Sequence, residues 1–205
     1  MNYPVKLIEV TTKTGDYYVH PETGLQARNP FIIEAETVYI LLGSDGNFAI
    51  IDLADFPAVA KMRWSDDRYG PGYARTSHRQ AGKQVHLRLH RFLYSQEATG
   101  WFVDHINCLR WDCRRANLRL CTRGQNALNR SVNVSNTIGH KGVRKNKSSG
   151  LYFVQIKTKG KQFRVGEFLT PEDAARGYDF LAAKFFGEYA HLNFPSHLGK
   201  SISIR

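Results

Sequence analysis

No stretch of this 205-residue chain is apolar for long enough to cross a bilayer. Met1 to Gly15 carries Lys6, Glu9 and Lys13 in place of a sustained apolar core, so no secretory leader is expected there. Together these absences point to a soluble, cytoplasmic protein with no membrane partner. Cysteine is equally scarce. Cys108, Cys113 and Cys121 form an odd set without any C-x-x-C pair, which argues against a disulfide framework and against structural zinc. Reduced thiols, packed or idle near a loop, are the expectation.

Acid is missing from one region. Between Gly139 and Gly166 stand eight Lys or Arg (Lys141, Arg144, Lys145, Lys147, Lys157, Lys159, Lys161 and Arg164) and no Asp or Glu. The net charge of +11 is unevenly spread: residues 1–95 contribute +1, residues 96–130 +3, residues 131–195 +5 and the tail +2. An excess of this kind calls for a polyanion, and phosphate neutralisation would make affinity fall steeply with salt.

The most chemical stretch is residues 103–130, VDHINCLRWDCRRANLRLCTRGQNALNR. Asp104 and His105 stand together, with Asn117 and Asn126 following. A carboxylate and a carboxamide can hold a hard divalent cation through oxygen, and an adjacent imidazole can take a proton from water. Gly100 to Val103 reads as a strand ending at Asp104-His105, with Leu118 to Cys121 as its partner. Thr122 and Gln125 have capping-box spacing, so Asn126 falls in the first turns of a short helix. The intervening Ile106 to Ala116 is too polar and arginine-rich for a core. Asn117 is assigned to pinning that loop through side-chain bonds to its backbone.

These residues resemble the HNH homing endonucleases, whose ββα-metal site in this branch reads V-D-H-I-N, then N-L-R, then Q-N-x-x-N-R. The resemblance implies that Asp104 and Asn126 bind the metal, that His105 is the general base and that Asn117 holds the loop. Many HNH enzymes have His where Asn126 stands, which makes this an H-N-N variant. An amide oxygen at that position favours Mg²⁺ or Mn²⁺.

Residues 139–195 carry a second pattern. Alternation in Leu151 to Lys157 sets Tyr152, Val154 and Ile156 on one face and Phe153, Gln155 and Lys157 on the other. Lys159-Gly160 reads as a turn into Gln162 to Phe168. Thr170-Pro171-Glu172-Asp173 is a helix start, and helically spaced apolar residues from Ala174 to Phe185 end at Gly187, with Tyr178 and Phe185 expected in the core. A helix backing a three-stranded sheet follows. H-K-G-V-R, G-x-Y-x-x-x-I, V-G-E-F, T-P-E-D-A-A-x-x-Y-D and L-N-F-P resemble the APETALA/ethylene-response-factor (ERF-type) DNA-binding domain. That family reads the major groove with a sheet face, which would place Lys141, Arg144, Asn146, Gln155, Lys157 and Arg164 at DNA. Plant members have Glu, Arg and Trp where Gln155, Lys157 and Arg164 stand, so their base preference does not transfer.

Upstream, Thr37 to Leu42 and Phe48 to Ile51 read as strands about an Asp45-Gly46 turn. Asp55 to Met62 reads as a short helix, Trp64 as a core anchor, and Tyr73 to Arg75 with Val85 to Leu89 as a further strand pair that leads on through Leu89 to Tyr94. His90 either packs or approaches the scissile phosphate. Residues 1–36 match no motif, and are either a DNA-clamping extension or a cap on the fold. Ser131 to Ile138 either tracks a groove or forms a flexible tether.

The expected architecture is α+β: a β-rich region 1–85, a ββα-metal nuclease 86–130, a linker 131–138, an ERF-type three-stranded antiparallel sheet on one helix 139–195, and a tail 196–205. The expected function is a site-specific, homing-type, metal-dependent endonuclease acting on double-stranded DNA as a monomer, of phage or bacterial kind from the family pairing. A catalytically inactive DNA-binding regulator and an RNA-directed nuclease are the alternatives.

Overall fold

Short antiparallel strands with tight connections build the first part of the chain. The computed structural model describes residues 7–12, 15–43, 46–67, 72–95, 97–133 and 135–195. The chain divides into two units, Met1–Cys121 and Thr122–Arg205. Ser44 and Asp45 of the expected turn, Val134 of the expected linker and the tail 196–205 lie outside the described residues. No described helix is long and apolar enough to cross a membrane.

The first unit opens with β1 (Ile8–Thr12), β2 (Gly15–Val19) and β3 (Gln26–Ala27), which form one sheet. A second sheet joins β4 (Phe31–Glu34), β5 (Thr37–Leu41) and β6 (Phe48–Asp52). A 3₁₀ turn, Leu53–Asp55, then leads into α1 (Phe56–Val59). A third sheet joins β7 (Ser65–Asp66), β8 (Ala74–Gln80) and β9 (Lys83–Arg88), followed by α2 (Leu89–Leu93). Last come β10 (Phe102–His105) and β11 (Leu118–Cys121), paired antiparallel.

One core joins these pieces, with Phe31, Val38, Ile51, Phe56, Trp64 and Leu89 all 2% exposed or less. Buried Asn29 staples it. Its amide donates to Leu41 O at 2.7 Å and Trp64 O at 2.8 Å, and its carbonyl accepts from Trp64 N at 2.7 Å. Past Val59 the chain leaves the α ladder: Met62 N donates to Val59 O, three residues back, and Ala60 O accepts from Arg28 N. The helix expected from Asp55 to Met62 is therefore confined to Phe56–Val59. A second difference lies at Leu89, where a strand was expected to run on and the structure turns into α2. Leu89, His90 and Leu93 share the spacing of one helical face and are all buried, so core packing selects the helix there.

The second unit begins with α3 (Arg123–Leu128), whose Thr122 and Gln125 make both bonds of a capping box. The sheet β12 (Val143–Lys145), β13 (Tyr152–Thr158) and β14 (Lys161–Phe168) follows, antiparallel in that order. Lys159 and Gly160, with φ of 48° and 75°, make the tight turn between β13 and β14. The helix α4 (Pro171–Phe186) starts where Thr170 Oγ1 accepts from Asp173 N. Ala174, Ala175, Tyr178 and Ala182 pack over Val143, Val154 and Ile156.

Phe185, expected in the core, is 47% exposed, and Phe186 packs instead. The cause is the chain after the helix. Buried Asp179 binds the backbone N–H groups of Asn193 and Phe194, drawing Ala190 and Leu192 over the Phe186 margin of α4 and leaving the Phe185 margin open.

Gly142 has φ of 72°, and a Cβ there would lie 1.9 Å from the Tyr178 ring. Gly142→Ala should destabilise this unit by about 2–5 kcal/mol, combining left-handed strain of about 1–2 kcal/mol with overpacking of about 1–3 kcal/mol. Urea unfolding of the full chain, followed by hydrogen exchange in α4, measures the loss.

Candidate nuclease site

Asp104 and His105 end β10, where strand pairing fixes both. Register sets Asp104 opposite Arg119 and His105 opposite Leu118. Cross-strand neighbours on one face are close enough for a charge pair. Arg119 uses this by placing Nη2 and Nε at 2.9 and 3.1 Å from Asp104 Oδ2, with both side chains largely buried. The carboxylate is thus held in one orientation while remaining a hard oxygen donor.

His105 is 4% exposed and sits in an aromatic group. Its ring centroid is 4.8 Å from that of His90, crossed at 68°, and 5.8 Å from that of Tyr73. The guanidinium carbons of Arg88 and Arg110 lie 4.6 and 5.5 Å from the Tyr73 ring centroid. Cys113 Sγ lies 3.7 Å from His105 Nε2. Burial pushes the His105 imidazole down to about 4; Asp104 and Asp112 oppose the shift and Arg110 adds to it. Burial, then His105, Arg88 and Arg91, push His90 down to about 3. Burial, with the charge of Asp112, pushes the Cys113 thiol up to about 12. At neutral pH both imidazoles are uncharged and the thiol is protonated.

The loop from Ile106 to Ala116 closes on Asn117. The Asn117 amide donates to Asn107 Oδ1 at 2.9 Å and Asp112 O at 2.7 Å, and its Oδ1 accepts from Asn107 N at 3.0 Å. Asn107 Nδ2 donates to Asp112 Oδ2, and Arg114 holds that carboxylate with Nε at 2.8 Å and Nη2 at 2.7 Å. Burial raises the Asp112 pKa, but the Arg114 hydrogen bonds and charge outweigh it and the net shift is downward. The loop also extends the second sheet: Ile50 N donates to Trp111 O, and Cys113 N to Ile50 O. Arg115 adds a further tie, donating from its backbone to Asp52 and from its guanidinium to both oxygens of Asp55.

Asp104, His105 and Asn117 therefore belong to one unit, and Asn126 belongs to the other, on α3. In that second unit, Gln155 lies directly opposite Arg164, and Arg144 opposite Phe153. Lys157 shares the Gln155 face of β13, away from buried Val154 and Ile156. Arg164 stacks on Phe153 with its guanidinium carbon 4.0 Å from the ring centroid. Asn146 bends the chain after β12, its side chain accepting from Ser148 N. Lys141 stands before β12, its ammonium on the carbonyls of Leu128 and Arg130.

Several partners around the site were not apparent from sequence: Tyr73, Asp112 and Arg114, Cys113 against His105, and the acids Asp52 and Asp55 that hold Arg115. Only Asp112-x-Arg114 has a local signal, an acid and a base two apart within a polar loop. Arg115 finds its acids 60 and 63 residues away. Among the described residues no group of three or more His, Cys, Asp and Glu side chains is arranged to hold a metal ion. A site using Asp104 and a carboxamide draws on a different donor set, one of hard oxygens.

The hairpin ending in Asp-His, its pinned loop and the helix that follows are features of a small nuclease. The HNH endonuclease family matches residues 89–128. A protein of Acanthamoeba polyphaga mimivirus named as an uncharacterized HNH endonuclease is 33% identical over 171 residues, which is 80% of this chain and 84% of the relative. No solved structure matches. The chain belongs to the HNH endonuclease family.

Two measurements check this geometry. Unfolded histidine titrates near 6.5, whereas His90 and His105 do so at about 3 and about 4 in the fold. The unfolded chain therefore takes up protons first as pH falls. Stability is full above pH ~6.5 and is lost progressively as pH drops toward the folded values. Thermal melting at pH 7.5 and pH 5 should show the drop, and His90→Gln should flatten it. Asn117→Ala, which leaves buried loop groups without partners, should cost about 2–3 kcal/mol; denaturant unfolding with hydrogen exchange across residues 106–116 locates the loss.

Proposed function

We propose that this chain is a site-specific, homing-type DNA endonuclease that cuts a phosphodiester of double-stranded DNA by a metal-dependent mechanism, acting as a monomer. The observation that carries the proposal is the Asp104-His105 pair, fixed at the end of β10 by pairing with β11 and bordered by a loop locked on Asn117. HNH nucleases generally use a divalent metal. Here Asp104 and Asn126 would hold it, Mg²⁺ or Mn²⁺, and both offer hard oxygen. Bound there, the ion supplies charge stabilisation to the phosphate oxygens and the leaving 3′ oxygen.

The chain's own groups do the rest. His105, uncharged at neutral pH, accepts the proton of the attacking water. Arg119 keeps the Asp104 carboxylate from rotating, and Asn117 fixes the loop whose Cys113 packs against the His105 ring. The C-terminal segment 139–195, which resembles an ERF-type domain, supplies recognition. Arg144, Gln155, Lys157 and Arg164 gather on the sheet face that turns away from α4 and form the DNA-reading set, with side chains suited to bases and phosphate. One site per chain implies one nick per binding event.

Incubating wild type and His105→Ala with supercoiled DNA in Mg²⁺, Mn²⁺ or EDTA tests the proposal. Wild type should nick only with metal. His105→Ala should cut about 100-fold more slowly or worse while keeping its DNA affinity. Binding by wild type without cutting in any metal would instead make the chain a DNA-binding regulator.

A further inference from the structure

Lys141 matches a DNA-contact position of the ERF-type pattern, yet its ammonium is committed elsewhere. It donates to Leu128 O at 2.5 Å and Arg130 O at 2.7 Å. Leu128 is the last residue of α3, where the final carbonyls lack intrahelical partners and carry the negative end of the helix dipole. A lysine there satisfies two acceptors with one charge.

The backbone of Lys141 is fixed just as firmly. Its N–H donates to Asn193 Oδ1 at 2.6 Å and its carbonyl accepts from Asn193 Nδ2 at 3.1 Å. Asn193 is held in turn by Asp179 of α4, 5% exposed, through Nδ2 at 3.0 Å and backbone N at 2.8 Å. The next residue, Gly142, presses on the Tyr178 ring so closely that no side chain fits. A continuous polar chain thus runs from α4 through Asp179, Asn193 and Lys141 to the end of α3.

We propose that Lys141 is a positioning residue that bolts α3, the helix carrying Asn126, to the sheet and helix of residues 139–195. It is not a phosphate contact. The inference rests on the nuclease reading for the role of Asn126. Its consequence is that α3 and the DNA-reading face move as one body despite the polar segment 131–138 between them. That segment is bypassed by the Lys141 tie and does not act as a free tether.

The test compares full-length wild type, Lys141→Met and Lys141→Arg, with Asn193→Ala as a second way to release the tie. Hydrogen exchange in α3 should speed up by about tenfold or more in Lys141→Met and Asn193→Ala, and Lys141→Arg should recover much of the protection. DNA affinity and the slope of its salt dependence should stay unchanged. Cleavage at saturating protein should fall, with a higher Mg²⁺ concentration needed for half-maximal rate. An unchanged α3 exchange, with affinity reduced and the salt slope lowered by about one, would make Lys141 a phosphate contact and overturn the proposal. The exchange and binding measurements decide the tie even where wild type cuts nothing, so failure of the nuclease reading is seen separately.

Discussion

The carboxamide of Asn117 is the constraint on which the first unit depends. One side chain, 9% exposed, satisfies Asn107 and Asp112 together and so closes a polar loop that has no apolar core of its own. Such a loop cannot be held by burial, because its backbone groups need partners wherever water is excluded. Asn117 supplies some of them, the Asn107 and Asp112 side chains accept from Leu109 N and Arg114 N, and Ile50 at the edge of β6 bonds Trp111 O and Cys113 N. Once the loop is closed, Cys113 is brought against His105 and the imidazole is enclosed. The β-rich N-terminal region gains a purpose from this arrangement: its second sheet, with Asp52 and Asp55 at its end, is the frame against which the loop is fastened.

The second unit solves a different problem, that of presenting charge without losing a fold. Its basic residues stand on a thin sheet whose other face is covered by a single helix of small residues. Ala174, Ala175 and Ala182 let α4 approach closely, and Gly142 removes the last obstacle at Tyr178. The buried Asp179 carboxylate then replaces apolar packing at the C-terminal return, where it bonds backbone and side-chain N–H groups of Asn193 and Phe194. Cross-strand pairing of Gln155 with Arg164 follows from that register, and it gives the exposed face a defined array of side chains.

Much of this was legible in the sequence, where the signals are local. The Asp104-His105 strand end, its partner Leu118 to Cys121, the Thr122 and Gln125 capping box and the Thr170-Pro171 helix start are set by neighbours within a few residues, and each is found where expected. Alternation in β13 gave its buried face for the same reason. What was not legible depends on distant partners. The face of α4 that stays open at Phe185 is decided by a chain return that Asp179 captures fourteen residues later. The helix at Leu89 wins over a strand because a core contributed by other elements accepts Leu89, His90 and Leu93. At the end of the shortened α1, the Ala60 carbonyl is taken by Arg28 N, 32 residues earlier in the chain. For Lys141, the pattern of a basic run concealed a lysine whose charge is directed at a helix end.

That Asp104 and Asn126 hold a single divalent ion is a proposal open to direct measurement. Titrating the full-length chain with Mn²⁺ and following the free ion by electron paramagnetic resonance, in wild type, Asp104→Ala and Asn126→Ala, tests it most directly. Wild type should show one Mn²⁺ site that is lost or strongly weakened in both variants. Mn²⁺ binding that survives both substitutions unchanged would contradict it.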